Sequence, residues 1–185
     1  PAFPLVCLDE DGERLGPDSF VPGYTQVYAF ADERRNEAPQ MDGLSFDGED
    51  LSADPAEIIE VETCAVSIDE RREEASGCGA EPLNERCTEH SLKAIIGDVA
   101  EANPDATLGQ DGSIFETVWV EYFTDGGSLD RSLKLVSDAQ TGYVGEHETA
   151  WFAPVGTGIV NIWAVARDQR GGSTIVHRQV NVVAP

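Results

Sequence analysis

One stretch decides the fold: Gly158-Ile-Val-Asn-Ile-Trp-Ala-Val-Ala-Arg-Asp168, then Gln169-Arg-Gly-Gly172, then Ser173-Thr-Ile-Val-His-Arg-Gln-Val-Asn-Val182. In the first part, apolar residues recur in steps of two at Val160, Ile162, Ala164 and Ala166. Such a period-two face is typical of a half-buried antiparallel strand, and a glycine pair marks a turn. The stretch therefore predicts a β-hairpin that closes a sandwich, with these even-numbered side chains facing inward.

Short apolar segments separated by turns recur along the whole chain, which has 185 residues with 18 Gly and 10 Pro. This composition favours an all-β protein. The predicted strands are 5–8, 24–30, 41–46, 58–64, 91–99, 116–123, 133–136, 149–152, 159–167 and 174–183. We expect six or seven strands after residue 90, the number typical of an immunoglobulin-like sandwich, and 101–112 is predicted to be a loop.

The predicted fold is two immunoglobulin-like antiparallel β-sandwich domains in tandem. Residues 1–66 form an N-terminal β domain with disulfides, and 91–185 form the C-terminal immunoglobulin-like sandwich. Between them, 67–90 reads as a charged, cysteine-containing insertion or linker, in which 69–74 is predicted to form one or two helical turns.

The second half resembles bacterial extracellular immunoglobulin-like repeats of the PKD and cadherin-like kind. The residues that carry the resemblance are Val118-x-Val120-x-Tyr122 before Thr124-Asp-Gly-Gly127, the alternation from Gly158 to Asp168 with Gly171-Gly172, and Asn36-x-Ala-Pro39. The run from Trp163 to Gly172 is also similar to immunoglobulin-like regions of exported or lipid-anchored proteins of high-GC environmental bacteria. The resemblance implies a sandwich fold and export, and it implies no catalytic residues.

Four cysteines, Cys7, Cys64, Cys78 and Cys87, lie in the first half. An even number of cysteines in a loop-rich acidic segment is typical of an exported, disulfide-bonded domain, which predicts the periplasm or cell surface. We favour Cys78 with Cys87 and Cys7 with Cys64, although the other two pairings stay open. A zinc site made of Cys78, Cys87 and His90, with Cys64 as a fourth ligand, is the alternative, but zinc ligands usually come in closer pairs.

The charge balance excludes several classes of partner, because the sequence has 35 acidic and 12 basic residues and a formal net charge of −23. A strongly acidic chain is repelled by nucleic acid and by anionic membranes. The sequence has no apolar run long enough to span a bilayer, so we expect no direct membrane insertion. We expect no cofactor and no metal. The alternative is a calcium ion at Asp9, Asp11 and Glu13, although their spacing does not match a known calcium loop.

Catalytic motifs are absent from the sequence: there is no serine nucleophile elbow, no phosphate loop and no paired metal-binding histidines. We therefore expect a protein that is not an enzyme. If the even-numbered side chains of the hairpin face inward together with Val118, Val120 and Tyr122, several large side chains lie together on the outer face of the sheet: Trp119, Phe123, Trp163, Val165 and Ile175. An apolar patch of this kind marks an interface.

These observations predict a non-catalytic accessory or structural subunit outside the cytoplasm, which docks through a sheet face onto other envelope or membrane-complex proteins. The alternative is a calcium-dependent adhesion or carbohydrate-binding module.

Overall fold

The computed structural model describes residues 8–14, 16, 35–74, 87–108 and 112–185. Its thirteen strands are β1 (Gly43–Phe46), β2 (Glu49–Asp50), β3 (Ile59–Glu62), β4 (His90–Ile95), β5 (Ala102–Leu108), β6 (Gly112–Phe115), β7 (Val118–Thr124), β8 (Ser128–Leu129), β9 (Leu133–Asp138), β10 (Gly142–Tyr143), β11 (Thr149–Phe152), β12 (Gly158–Asp168) and β13 (Ser173–Val183). A helix, α1 (Ile68–Glu74), and a 3-10 turn at Pro55–Glu57 accompany them. The predicted all-β class and the predicted helical turns are confirmed. The predicted strands 5–8 and 24–30 lie outside the described residues, apart from Leu8, which forms an isolated bridge with Arg14.

The strands form two large sheets and one ribbon. One sheet has five strands in the order β2-β1-β4-β11-β8, and the other has six in the order β10-β9-β7-β12-β13-β3. All pairings in them are antiparallel except β13 with β3, which is parallel. The ribbon, β5 with β6, falls in the segment predicted to be a loop, so that prediction was wrong.

Strands from both sides of residue 90 share the same sheets and core. The early strand β1 pairs with β4, which pairs in turn with the late strand β11. A single hydrophobic cluster runs from Met41 and Leu44 to Val180 and Val182. The tandem arrangement of two separate domains is not confirmed.

The core is built by alternation along the long strands. On β12, Ile162, Ala164 and Ala166 are fully buried and Val160 is 5 % exposed, which confirms the predicted register. Apolar burial of this kind is the main force that holds the two sheets together. Trp151 on β11 is also fully buried, and its indole N–H donates to the carbonyl oxygen of Gly126 at 3.1 Å.

The side chains of Tyr122 and His147 bond to the backbone of β4 beyond the point where β11 stops pairing with it. The pairing of β4 with β11 ends at Leu92, two residues before Ala94. There the N–H of Ala94 donates to the hydroxyl of Tyr122 at 2.9 Å, and the carbonyl of Ala94 faces Nε2 of His147 at 3.0 Å. The Tyr122 hydroxyl donates in turn to the carbonyl of His147 at 2.7 Å. Buried backbone groups need such partners, so these two side chains take the place of a strand.

Candidate functional site

The outer face of the six-stranded sheet carries a row of aromatic side chains across three strands. Trp163 on β12 lies opposite Phe123 on β7 and opposite His177 on β13. The rings of Trp163 and His177 stack, with centroids 5.2 Å apart. Because odd-numbered residues of β12 point away from the core, this row lies on the solvent side of the sheet.

A second row runs parallel to the first and is mainly apolar. Val165 lies between Glu121 and Ile175, and Leu133 on β9 lies opposite Glu121. A third row places Arg167 beside Trp119, with Leu135 of β9 on the far side of that indole. The three rows make one continuous face across four strands.

The exposed apolar side chains of this face are Ile175 at 64 %, Leu133 at 57 %, Phe123 at 47 % and Leu135 at 38 %. Trp119 and Trp163 are partly exposed. We call the six side chains of Trp119, Phe123, Leu133, Leu135, Trp163 and Ile175 the docking face.

Val165 differs from the expectation that it is an exposed member of the patch. It points outward but is only 9 % exposed. The register places it in the central strand between Glu121 and Ile175, with strands on both sides of it. Its role is therefore to support the neighbouring side chains and not to offer a large contact area.

Sequence reasoning missed Leu133 and Leu135. Their signal was present, because the two leucines alternate with Lys134 in a predicted strand. What the sequence did not show is that β9 lies beside β7 on the same face, since that depends on the strand order.

Polar groups border the docking face and already bond to each other. The side-chain N–H of Asn161 donates to Asp125 Oδ2 at 2.6 Å, and Asn161 Oδ1 contacts His177 Nε2 at 2.8 Å and accepts from Gln179 at 2.9 Å. The hydrogen bonds from Asn161 lower the pKa of the Asp125 carboxyl. Within the face, Arg167 Nε donates to Glu121 Oε2 at 2.9 Å.

The disulfide in the described residues joins Cys64 to Cys87. The favoured pairing of Cys7 with Cys64 and of Cys78 with Cys87 was therefore wrong, and Cys7 and Cys78 lie outside the described residues. The physical reason is that the chain from β3 and the chain entering β4 meet beside Phe152, which brings these two cysteines to a Cα separation of 4.9 Å. Two thiols of the alternative zinc site are consumed in this bond.

His90 is held by a carboxylate and aromatic rings. Its Nδ1 lies 2.8 Å from Asp47 Oδ2, and its ring stacks on Phe46 with centroids 4.9 Å apart. It is only 9 % exposed, and Asp47 also accepts from the N–H of Ser91. This pair fixes the β1–β2 turn against β4.

A buried carboxylate cluster lies at the end of the final hairpin. Glu116 is fully buried, and burial together with the charges of Asp168 and Glu101 raises its pKa. Arg170 Nη1 lies 3.0 Å from Glu101 Oε2 and 3.7 Å from Glu116 Oε2. The guanidinium thus supplies the positive charge that a group of carboxylates requires.

No known protein family, curated protein or solved structure matches the chain.

The candidate calcium residues lie in an exposed turn. Asp9 Oδ1 accepts from the N–H groups of Asp11 at 3.0 Å and of Glu13 at 2.8 Å, so one of its oxygens is used to close the turn. Within the part of the chain that the structure describes, no three His, Cys, Asp or Glu side chains form a group able to hold a metal ion. Calcium binding stays the alternative prediction.

None of the helices among the described residues is long and apolar enough to cross a membrane.

Proposed function

We propose that the protein is a non-catalytic accessory or structural subunit of an exported envelope assembly, and that it binds a larger protein through the docking face. The observation that carries this proposal is the concentration of exposed Phe123, Leu133, Leu135 and Ile175 on one side of one sheet. A cluster of exposed apolar side chains of this kind is costly to leave in water and marks protein interfaces.

The polar groups of the face support the same function. Glu121 pairs with Arg167, and Asp125 pairs with Asn161, before any partner arrives. Covering such satisfied pairs leaves few hydrogen-bonding groups without a partner, which is the main cost of burying polar surface. A protein can therefore cover the apolar rows without disrupting the groups between them.

Net charge selects the kind of partner. At a formal charge of −23, two copies of the chain repel each other, whereas a basic protein is attracted from a distance. We propose that the partner contributes a basic surface around an apolar centre, and that the two associate less strongly as salt is added.

The disulfide supports an exported location. Disulfides persist in oxidising compartments and are rare in the cytosol. The bond between Cys64 and Cys87 is buried beside Phe152, where it connects β3 to β4. It supports the periplasm or cell surface as the place of action.

The test compares two equal changes in charge. Phe123→Asp puts a carboxylate on the docking face, and Val155→Asp puts one on another exposed apolar residue, 55 % exposed, outside it. For each variant, the native assembly is cross-linked and purified, and the mass of the cross-linked species is measured. We expect Phe123→Asp to lose a stoichiometric partner and Val155→Asp to retain it, with both variants melting like the unmodified protein. Retention by both variants would overturn the proposal.

A further inference from the structure

Strand β13 is longer than β3, its neighbour on one side. It pairs with β12 along almost its whole length, from Ser173 to Val182. It pairs with β3 only from Val180 to Val183. Among the described strands, none pairs with residues 173–179 on that side, and we call this segment the open edge.

The pairing pattern shows which backbone groups face outward from the open edge. The N–H of Asp125 donates to the carbonyl of Asn161, so odd-numbered residues of β12 bond toward β7. Bonds alternate along a strand, so even-numbered residues of β12 and β13 bond to each other. The odd-numbered residues of β13 therefore direct N–H and C=O groups away from β12, as the bond from the Thr63 N–H to the Val183 carbonyl confirms.

Four residues present these groups on the open edge: Ser173, Ile175, His177 and Gln179. The carbonyl of His177 accepts from Arg178 Nη1 at 2.7 Å. The section from Ser173 to Ile175 has no such side-chain cover among the described residues.

Proteins normally protect such edges with proline, lysine, bulges or short strands. The open edge contains neither proline nor lysine, its one charged side chain, Arg178, is partly buried and bonded to two carbonyl groups, and its register with β12 runs without a shift. It ends beside a pocket of about 140 Å³ whose lining includes Ile58 and Gln179. Ile175, the most exposed large apolar side chain of the docking face, belongs to both surfaces.

We propose that the open edge binds an extended segment of the partner, which adds a strand to the six-stranded sheet beside β13. Backbone groups that point outward at every second residue of a strand fit another extended backbone, which is the basis of strand addition. Ile175 favours an apolar side chain next to it on the outer face, and the acidic chain favours lysine or arginine in the rest of the segment. The same charge opposes pairing with a second copy. This inference rests on the proposed function, since the protein that covers the docking face also supplies the strand.

The first experiment uses the unmodified protein and a defined probe, an acetylated and amidated nine-residue peptide that alternates lysine and valine. Amide hydrogen exchange is followed by NMR. We expect fast exchange at Ser173 and Ile175 in the free protein and at least tenfold slower exchange with the peptide, whereas Thr174 and Val176 are protected from the start. A peptide with every backbone nitrogen methylated should give no protection. Equal protection by the methylated peptide, or no change at Ser173 and Ile175, would overturn the inference.

A second experiment separates this inference from the proposed function. Ile175→Pro removes one outward N–H at a position where an edge strand accepts proline, and Ile175→Thr keeps that N–H. Circular dichroism checks the fold of both variants. We expect at least tenfold weaker peptide binding by Ile175→Pro than by Ile175→Thr.

Cross-linking of the native assembly with each variant then shows whether the docking face or the open edge is required. Loss of the partner with Phe123→Asp but not with Ile175→Pro would keep the docking face and reject the open edge. Loss of the partner with Ile175→Pro but not with Phe123→Asp would keep the open edge and reject the docking face.

Discussion

Replacing Tyr122 by phenylalanine tests the account of how β4 is completed. The change removes one oxygen from a fully buried side chain and leaves the ring in place. The N–H of Ala94 then loses its acceptor at 2.9 Å, and the carbonyl of His147 loses its donor at 2.7 Å. A buried group without its partner costs about 1–3 kcal/mol, and an unpaired carbonyl is tolerated more often than an unpaired N–H. We expect a loss of about 2–4 kcal/mol in the free energy of unfolding.

Urea unfolding followed by tryptophan fluorescence measures this loss, and a thermal melt should show the midpoint fall by roughly 5–12 °C for a domain of this size. Tyr143→Phe is the matched control, because the hydroxyl of Tyr143 donates to the Ile96 carbonyl at 3.2 Å from a side chain that is 42 % exposed. It should cost less than about 1 kcal/mol. If the two variants lose equal stability, the side chains of Tyr122 and His147 do not stand in for a strand.

Further predictions concern a turn, the disulfide, a buried carboxyl and calcium. Gly127→Ala should cost at least about 2 kcal/mol, because φ is 78° and the added methyl would meet the Phe152 carbonyl, whereas Gly145→Ala should be close to neutral in the same melts. Peptide mapping without reductant should recover Cys64 joined to Cys87, and replacing both by alanine should cost about 3 kcal/mol; a map joining Cys64 to Cys7 would contradict the structure. Because burial raises the pKa of Glu116, the folded protein holds that proton more tightly than the unfolded chain, so stability falls as pH rises from 4.5 through the raised pKa. Glu116→Gln should flatten that fall, and an unchanged pH profile would show that another group causes it. Millimolar calcium should leave the melting temperature unchanged, and a rise would favour the calcium-dependent module.

The alternation of side chains was readable from the sequence, because period two directly reports which residues face the core. Val160 and Ile162 are buried and Trp163 is not, as the pattern predicted. The same logic placed Val118 and Val120 of β7 correctly in the core.

Features that depend on which strands become neighbours were not readable. The pairing of Cys64 with Cys87 follows from where β3 and β4 meet, and no local pattern encodes that meeting. The division into tandem domains rested on the charged segment 67–90, but the strands on either side of it join the same sheets. Segment 101–112 was predicted to be a loop because Asn103, Pro104 and Asp105 are poor strand formers. These three residues lie in the register shift of β5, and the positions that pair with β6 lie on either side of them.

The parallel pairing of β3 with β13 has a mechanical consequence. Where force pulls on the chain ahead of β3 and on the chain after β13 in opposite directions, it acts along the two strands and stretches their hydrogen bonds together. Hydrogen bonds loaded in shear must break nearly simultaneously, whereas those of a hairpin pulled open at one end break one after another. The four paired positions from Val180 to Val183 therefore resist tension in this direction as one unit.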